Sequence, residues 1–168
     1  AAQQLAKFSV KIDTREEVTP GFKFNDWELK GVPVRMEIGP KDVKNSTVAV
    51  SRRDIPGKAG KSSLPMENLE QSIGELLDAI HENMLARATQ FRDSHIFEAQ
   101  DYDSFKQIVA DQGWAVGWWS DDRENEARIK EETKATLRIY ASEPDMGEGV
   151  CFYSGKRTHK RAYFARSY

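Results

Sequence analysis

Residues 20–43 read Pro-Gly-Phe-Lys-Phe-Asn-Asp-Trp-Glu-Leu-Lys-Gly-Val-Pro-Val-Arg-Met-Glu-Ile-Gly-Pro-Lys-Asp-Val. Three glycines and three prolines punctuate the stretch and predict a backbone held in fixed turns. Between Gly31 and Gly39, Val32, Val34, Met36 and Ile38 alternate with Pro33, Arg35 and Glu37. A period of two predicts a strand with one apolar face and one face carrying Arg35 and Glu37. Ahead of it, Phe22, Phe24 and Trp27 are interleaved with Lys23, Asp26, Glu28 and Lys30. Such a run can stack a nucleobase while its neighbours read the base edge. It can equally plug a core with its aromatics and leave its charges solvated.

The totals frame these alternatives. With 31% charged and 39% hydrophobic residues in 168, the chain has the composition of one ordinary domain or two small ones. No apolar run approaches the ~20 residues of a membrane-spanning helix. A single cysteine, Cys151, rules out an internal disulfide. The net charge of -2 argues weakly against a polyanionic partner, but the charge is segregated. Residues 20–61 hold nine Lys/Arg against five Asp/Glu, and residues 62–148 hold eight against nineteen, so a local polyanion site fits the first third.

Elsewhere the pattern predicts alternating helices and strands. Ala1–Lys7 reads as the end of a helix and Phe8–Ile12 as a short strand. A second strand runs through Thr47–Val50 to Arg52-Arg53-Asp54. Residues 55–63 read as a loop. Its Gly-Lys-Ala-Gly-Lys-Ser is not a phosphate-binding loop, because only Lys58 and Ala59 separate Gly57 from Gly60 where that motif needs four residues. From Pro65 a long helix carries Leu69, Ile73, Leu76, Leu77, Ile80, Met84, Ala88 and Phe91 on one stripe, with His81 at its border. The polar stretch 93–101 marks a domain boundary. Beyond it the chain reads helix (Phe105, Ile108, Val109), strand (Trp114–Trp118) and charged helix (Asp121–Glu132, capped by Asp121 or Asp122). A strand at Thr136–Tyr140 and a pair formed by Val150–Tyr153 with Ala162–Ala165 follow. A lone cysteine on an apolar strand, as Cys151 is, reads as packing rather than as a nucleophile.

The run Pro20–Val43 resembles the signature of the anticodon-binding domain of prolyl-tRNA synthetase, in which Pro-Gly-Phe/Trp-Lys-Phe leads into Trp-Glu-Leu-Lys-Gly-Val-Pro and then Arg-x-Glu-x-Gly-Pro-x-Asp. Ala49–Asp54, Ile129–Arg138 and Tyr163–Tyr168 are also similar to that family. The resemblance is closest to the branch with an extra C-terminal domain. It implies an α/β fold: an anticodon-binding domain with a mixed sheet and flanking helices over residues 1–95, lacking its N-terminal strand, then a small α/β domain over 96–168. It further implies a class II ligase that joins proline to its tRNA using ATP and magnesium, cytoplasmic or organellar, with no membrane partner. In the full-length protein it implies a homodimer built through an upstream catalytic domain. A chain made only of these parts is expected to bind the anticodon and to be catalytically inactive, with no catalytic residue of its own. Two rival readings remain, a stand-alone tRNA- or RNA-binding module without ligase activity and a protein-interaction domain that keeps the fold alone.

Every proline anticodon ends in two guanines. Guanine offers donors suited to a carboxylate and acceptors suited to Arg or Lys. On the positions that match the family motif, the resemblance assigns Glu28 and Asp42 to the first role and Arg35 and Lys41 to the second, with Phe24 as a stacking residue. An internal Arg35–Glu37 or Lys41–Asp42 ion pair is the alternative. Lys23, Lys30, Arg52 and Arg53 are candidates for phosphate contacts, which position RNA without reading it. Relatives with the extra domain often bind zinc through a Cys-x4-Cys and a Cys-x2-Cys pair. Alignment puts these on Ser120 and Asn125, and on Cys151 and Ser154. With one cysteine left and His159 the only other soft ligand nearby, the expectation is no metal, with Trp118 and Trp119 filling the space. In relatives of this branch the terminal tyrosine approaches the catalytic domain, which gives Tyr168 a docking role as one expectation.

Overall fold

Thr19 is extended before Pro20, and its hydroxyl accepts from the Phe22 N–H at 3.3 Å. A capping threonine with proline at the first helical position starts a helix, because the N–H that proline lacks would have no partner there anyway. In the computed structural model, Pro20–Leu29 is accordingly helix α1, not the series of turns expected from its glycines and prolines. Gly31, at φ +79, ends it and turns the chain into strand β1 (Val34–Glu37). The same start signal recurs at Gly39-Pro40. Helix α2 (Pro40–Asn45), which hydrophobic periodicity does not reveal, begins with the Asp42 carboxylate accepting from the Gly39 N–H at 2.9 Å.

The structure describes residues 1–142 and 147–167, so the role expected of Tyr168 lies outside the described residues. The chain divides into two units, Ala1–Ala88 and Thr89–Tyr168. In the first, β1, β2 (Thr47–Arg52) and β3 (Lys61–Pro65) form an antiparallel sheet in that order. The expected loop at 55–63 is thus partly strand. After a 3-10 turn at Gly57–Gly60, the open edge of β2 gives the polar Lys61–Ser63 run its backbone partners. Pro65, paired with Thr47, closes β3, and helix α3 (Leu69–Asp93) begins four residues later than expected.

The expected strand at Phe8–Ile12 does not form. After a 3-10 turn at Gln3–Leu5 the segment has no strand partner among the described residues, and Val10 and Ile12 are 40% and 63% exposed. Alternation alone does not make a strand, since its backbone groups need a neighbour. Leu5, Val48, Val50, Leu69 and Ile73 form the core, flanked by Phe8, Val34, Met36 and Leu64.

The second unit contains β4 (Ile96–Glu98), α4 (Tyr102–Ala110), β5 (Trp114–Trp118), α5 (Arg123–Thr133), β6 (Ala135–Tyr140), β7 (Gly149–Val150), β8 (Arg157–Thr158) and β9 (Arg161–Arg166). Its sheet runs β4-β5-β9-β6 and is mixed, with β4 parallel to β5 and the other pairs antiparallel. The expected pairing of Val150–Tyr153 with Ala162–Ala165 is replaced by two separate ones. A turn through Ser154-Gly155, with Gly155 at φ +70, folds β7 back on β8, and β9 runs between β5 and β6. Asp101 caps α4, and Asp122, one of the two caps expected, caps α5. Phe105, Trp119, Phe152 and Phe164 stack or meet edge-on at 4.7–5.7 Å in the core.

Candidate nucleic-acid interface

Helical spacing puts Phe24 and Glu28 on one face of α1, and β1 brings Arg35 against them. The Arg35 guanidinium lies 3.9 Å from the centre of the Phe24 ring. Its Nη1 donates to Glu28 Oε1 at 2.6 Å, its Nε to Glu37 Oε1 at 3.3 Å and its Nη2 to Ser51 Oγ at 3.4 Å. The Arg35 side chain is 15% exposed, whereas that of Glu28 is 61% exposed. The ion pair between Arg35 and Glu37 is therefore present, yet it does not close the site, because Glu28 still faces solvent. One face of Phe24 is covered by the cation it supports, a cation–π contact.

The helix that carries these groups is itself braced. Asp13 accepts from Trp27 Nε1 at 2.8 Å and from Arg15 Nε and Nη2 at 2.9 and 2.7 Å. Arg15 also donates to Asp26 at 2.9 Å. Hydrogen bonds from Arg15, joined by Trp27 and opposed by burial, hold the Asp13 carboxyl well below the usual carboxylate range. Thus a segment without regular structure fixes the rotation of α1, and with it the aim of Glu28.

Lys41 and Asp42 lie on α2 and make no hydrogen bond or ion pair with Glu28 or Arg35 among the described residues; Asp42 spends one oxygen on the Gly39 N–H, and Lys41 is exposed. Of the phosphate candidates, Lys23 is 4.0 Å from Asp13 and Lys30 is 2.9 Å from Asp26. Arg52 is bound to the buried Asp54 at 2.6 Å, and Arg53 donates to the Gly31 carbonyl at 3.0 Å. All four cations are engaged inside the unit. By register, Arg35, Ser51 and Lys61 form one row across β1, β2 and β3, on the face opposite Val34, Val50 and Leu64. Lys61 is exposed and has no ion pair among the described residues. Sequence reasoning misses it because it falls in the expected loop, and the polar run Lys61-Ser62-Ser63 carries no alternation that would mark a strand.

The α/β unit that carries this pair is of the anticodon-binding kind: the family profile described as "Anticodon binding domain" matches residues 2–82. The profile described as "Prolyl-tRNA synthetase, C-terminal" matches residues 102–168. The chain belongs to the prolyl-tRNA synthetase family, as its C-terminal region. It is 46% identical over 158 residues to proline--tRNA ligase of Chloroflexus aurantiacus, covering 94% of this chain and 33% of the relative. It is 44% identical over 170 residues to the chloroplastic/mitochondrial proline--tRNA ligase of Arabidopsis thaliana, covering 99% of this chain and 31% of the relative. The crystal structure of prolyl-tRNA synthetase from Cryptosporidium parvum, complexed with L-proline and AMP, superposes with a TM-score of 0.86 at 31% identity, over 99% of this chain and 36% of that one. The chain thus spans about a third of the length of these relatives.

Proposed function

We propose that this chain reads the two guanines of the proline anticodon for a proline–tRNA ligase whose ATP-dependent chemistry resides in an upstream catalytic domain. On this reading the isolated chain binds proline tRNA and catalyses nothing. The observation that carries the proposal is the Glu28–Arg35 pair, 2.6 Å apart, with the carboxylate exposed and the guanidinium seated on Phe24. Along the Watson–Crick edge of guanine the O6 acceptor adjoins the N1 and N2 donors, so a cation and a carboxylate side by side match it. Glu28 accepts from the donors through its free oxygen, and Arg35 both holds Glu28 and offers a donor toward O6. Lys41 and the second oxygen of Asp42 supply the same chemistry for the neighbouring base. Lys61 takes a phosphate.

Measured as affinity of the chain for proline tRNA, Glu28→Gln and Arg35→Ala are each expected to cost about 1–3 kcal/mol, and to cost nothing for a tRNA lacking the anticodon guanines. Unchanged affinity for proline tRNA in both variants would refute the reading. A ligase-free RNA-binding module predicts the same two losses. It is separated from the first reading by fusing the chain to a relative's catalytic domain and assaying aminoacylation, which only the first reading expects to be restored.

A further inference from the structure

Leaving β5, the chain passes through Trp119 and Ser120 before α5, while the turn after β7 carries Cys151 and Ser154. These segments meet. Ser120 Oγ lies 3.1 Å from Ser154 Oγ, and the Ser154 N–H donates to Cys151 Sγ at 3.5 Å. The Phe152 N–H donates to the Trp118 carbonyl at 3.1 Å. Cys151 is 2% exposed. Burial pushes its thiol up, but hydrogen bonds from Ser120, Ser154 and the Ser154 and Tyr153 N–H groups outweigh burial and leave it below its ordinary value. Three of the four positions that the resemblance aligns with metal-binding cysteines therefore converge. The fourth, Asn125, lies in the first turn of α5, its N–H bonded to Asp122.

The donor set does not fit zinc, which takes thiolate and imidazole ligands in a closed tetrahedron. One thiol and two neutral hydroxyls supply neither the charge nor the softness. His159 directs Nδ1 to the Gly147 carbonyl at 3.0 Å, and among the described residues no three His, Cys, Asp or Glu side chains gather. We propose that Ser120, Cys151 and Ser154 form a hydrogen-bonded lock that ties the exit of β5 to the β7–β8 hairpin, the cross-link that thiolate–metal bonds would otherwise make. The second unit consequently holds together without metal. Two hydroxyl-to-thiol changes convert the lock into a three-thiolate site. This inference does not depend on how the first unit reads RNA.

Thermal unfolding of the full chain tests it, with and without a strong zinc chelator, alongside metal analysis of the purified protein. The unfolding temperature of the unsubstituted chain is expected to be unmoved by chelator. Ser120→Ala and Ser154→Ala should each lower it by about 2–4 °C, and the double variant by no more than the larger single loss, because both remove one lock. Ser120→Cys/Ser154→Cys should bind one cobalt ion per chain with a thiolate-to-cobalt charge-transfer band. Stoichiometric zinc in the unsubstituted chain, a chelator-dependent fall in its unfolding temperature, or strictly additive alanine losses would each overturn the proposal. So would failure of a folded double-cysteine variant to take up cobalt. If that variant does not fold, the alanine cycle decides.

Discussion

The two units spend their side chains differently. In the second, Phe105, Trp119, Phe152 and Phe164 are at most 5% exposed and pack ring on ring. The first has a core of smaller aliphatic residues and relies on ionic braces: Asp13–Arg15–Asp26 under α1 and Arg52–Asp54–Asn83 between β2 and α3. An aromatic core fixes a shape. Braced ions fix the direction of exposed polar groups, which is what reading a base edge requires. The unit that carries the candidate interface is the one with fewer large side chains inside.

The largest expected effect lies in the second unit. Phe164→Ala removes a fully buried ring touching three others and should cost about 3–5 kcal/mol in denaturant unfolding followed by fluorescence. A loss below ~1 kcal/mol would mean that the aromatic cluster is not what holds this unit.

Next comes the brace in the first unit. The Asp54 side chain is fully buried; it accepts from Arg52 at 2.6 and 2.9 Å and from Asn83 Nδ2 at 2.6 Å. Removing it in Asp54→Ala strands both donors and should cost about 3 kcal/mol, read from the fluorescence of Trp27, the first unit's only tryptophan. Arg52 holds the Asp54 carboxyl at about 2, against burial and with help from Asn83, where the ordinary value is 3.8. Because the folded value is the lower one, the contribution is complete above the ordinary value and drains away as pH falls through about 2. Asp54→Asn should therefore flatten the acid limb of the stability profile in that window, and an unchanged limb would mean that this brace does not hold the first unit.

Smaller still is Lys61→Ala. Losing one phosphate contact should weaken tRNA binding equally for matched and anticodon-swapped tRNAs and reduce the salt slope by about 1. An effect confined to the matched tRNA would make Lys61 a base reader instead.

Much of this was legible in the sequence, and the gaps have physical causes. Val34 and Met36 reach the core and Arg35 the opposite face, as alternation requires, because β1 has β2 to pair with. Phe8–Ile12 carries the same alternation but has no strand partner among the described residues, so it stays irregular. Helix α1 was hidden because Gly21 and Pro20 read as breakers, although at a helix start proline favours the helix. Glu28 and Arg35 could be named from the motif and from guanine chemistry. That Phe24 supports Arg35, and that Arg52 serves Asp54, needed contacts between residues distant in the chain, which no local pattern encodes.

Affinity of the unsubstituted chain for proline tRNA, compared across several salt concentrations with the same tRNA carrying adenines in place of the two anticodon guanines, separates base reading from phosphate contact alone. If the chain reads the two guanines, the swapped tRNA binds more weakly by about 1–3 kcal/mol per replaced base, with the salt slopes parallel. Equal affinities at every salt concentration would contradict it.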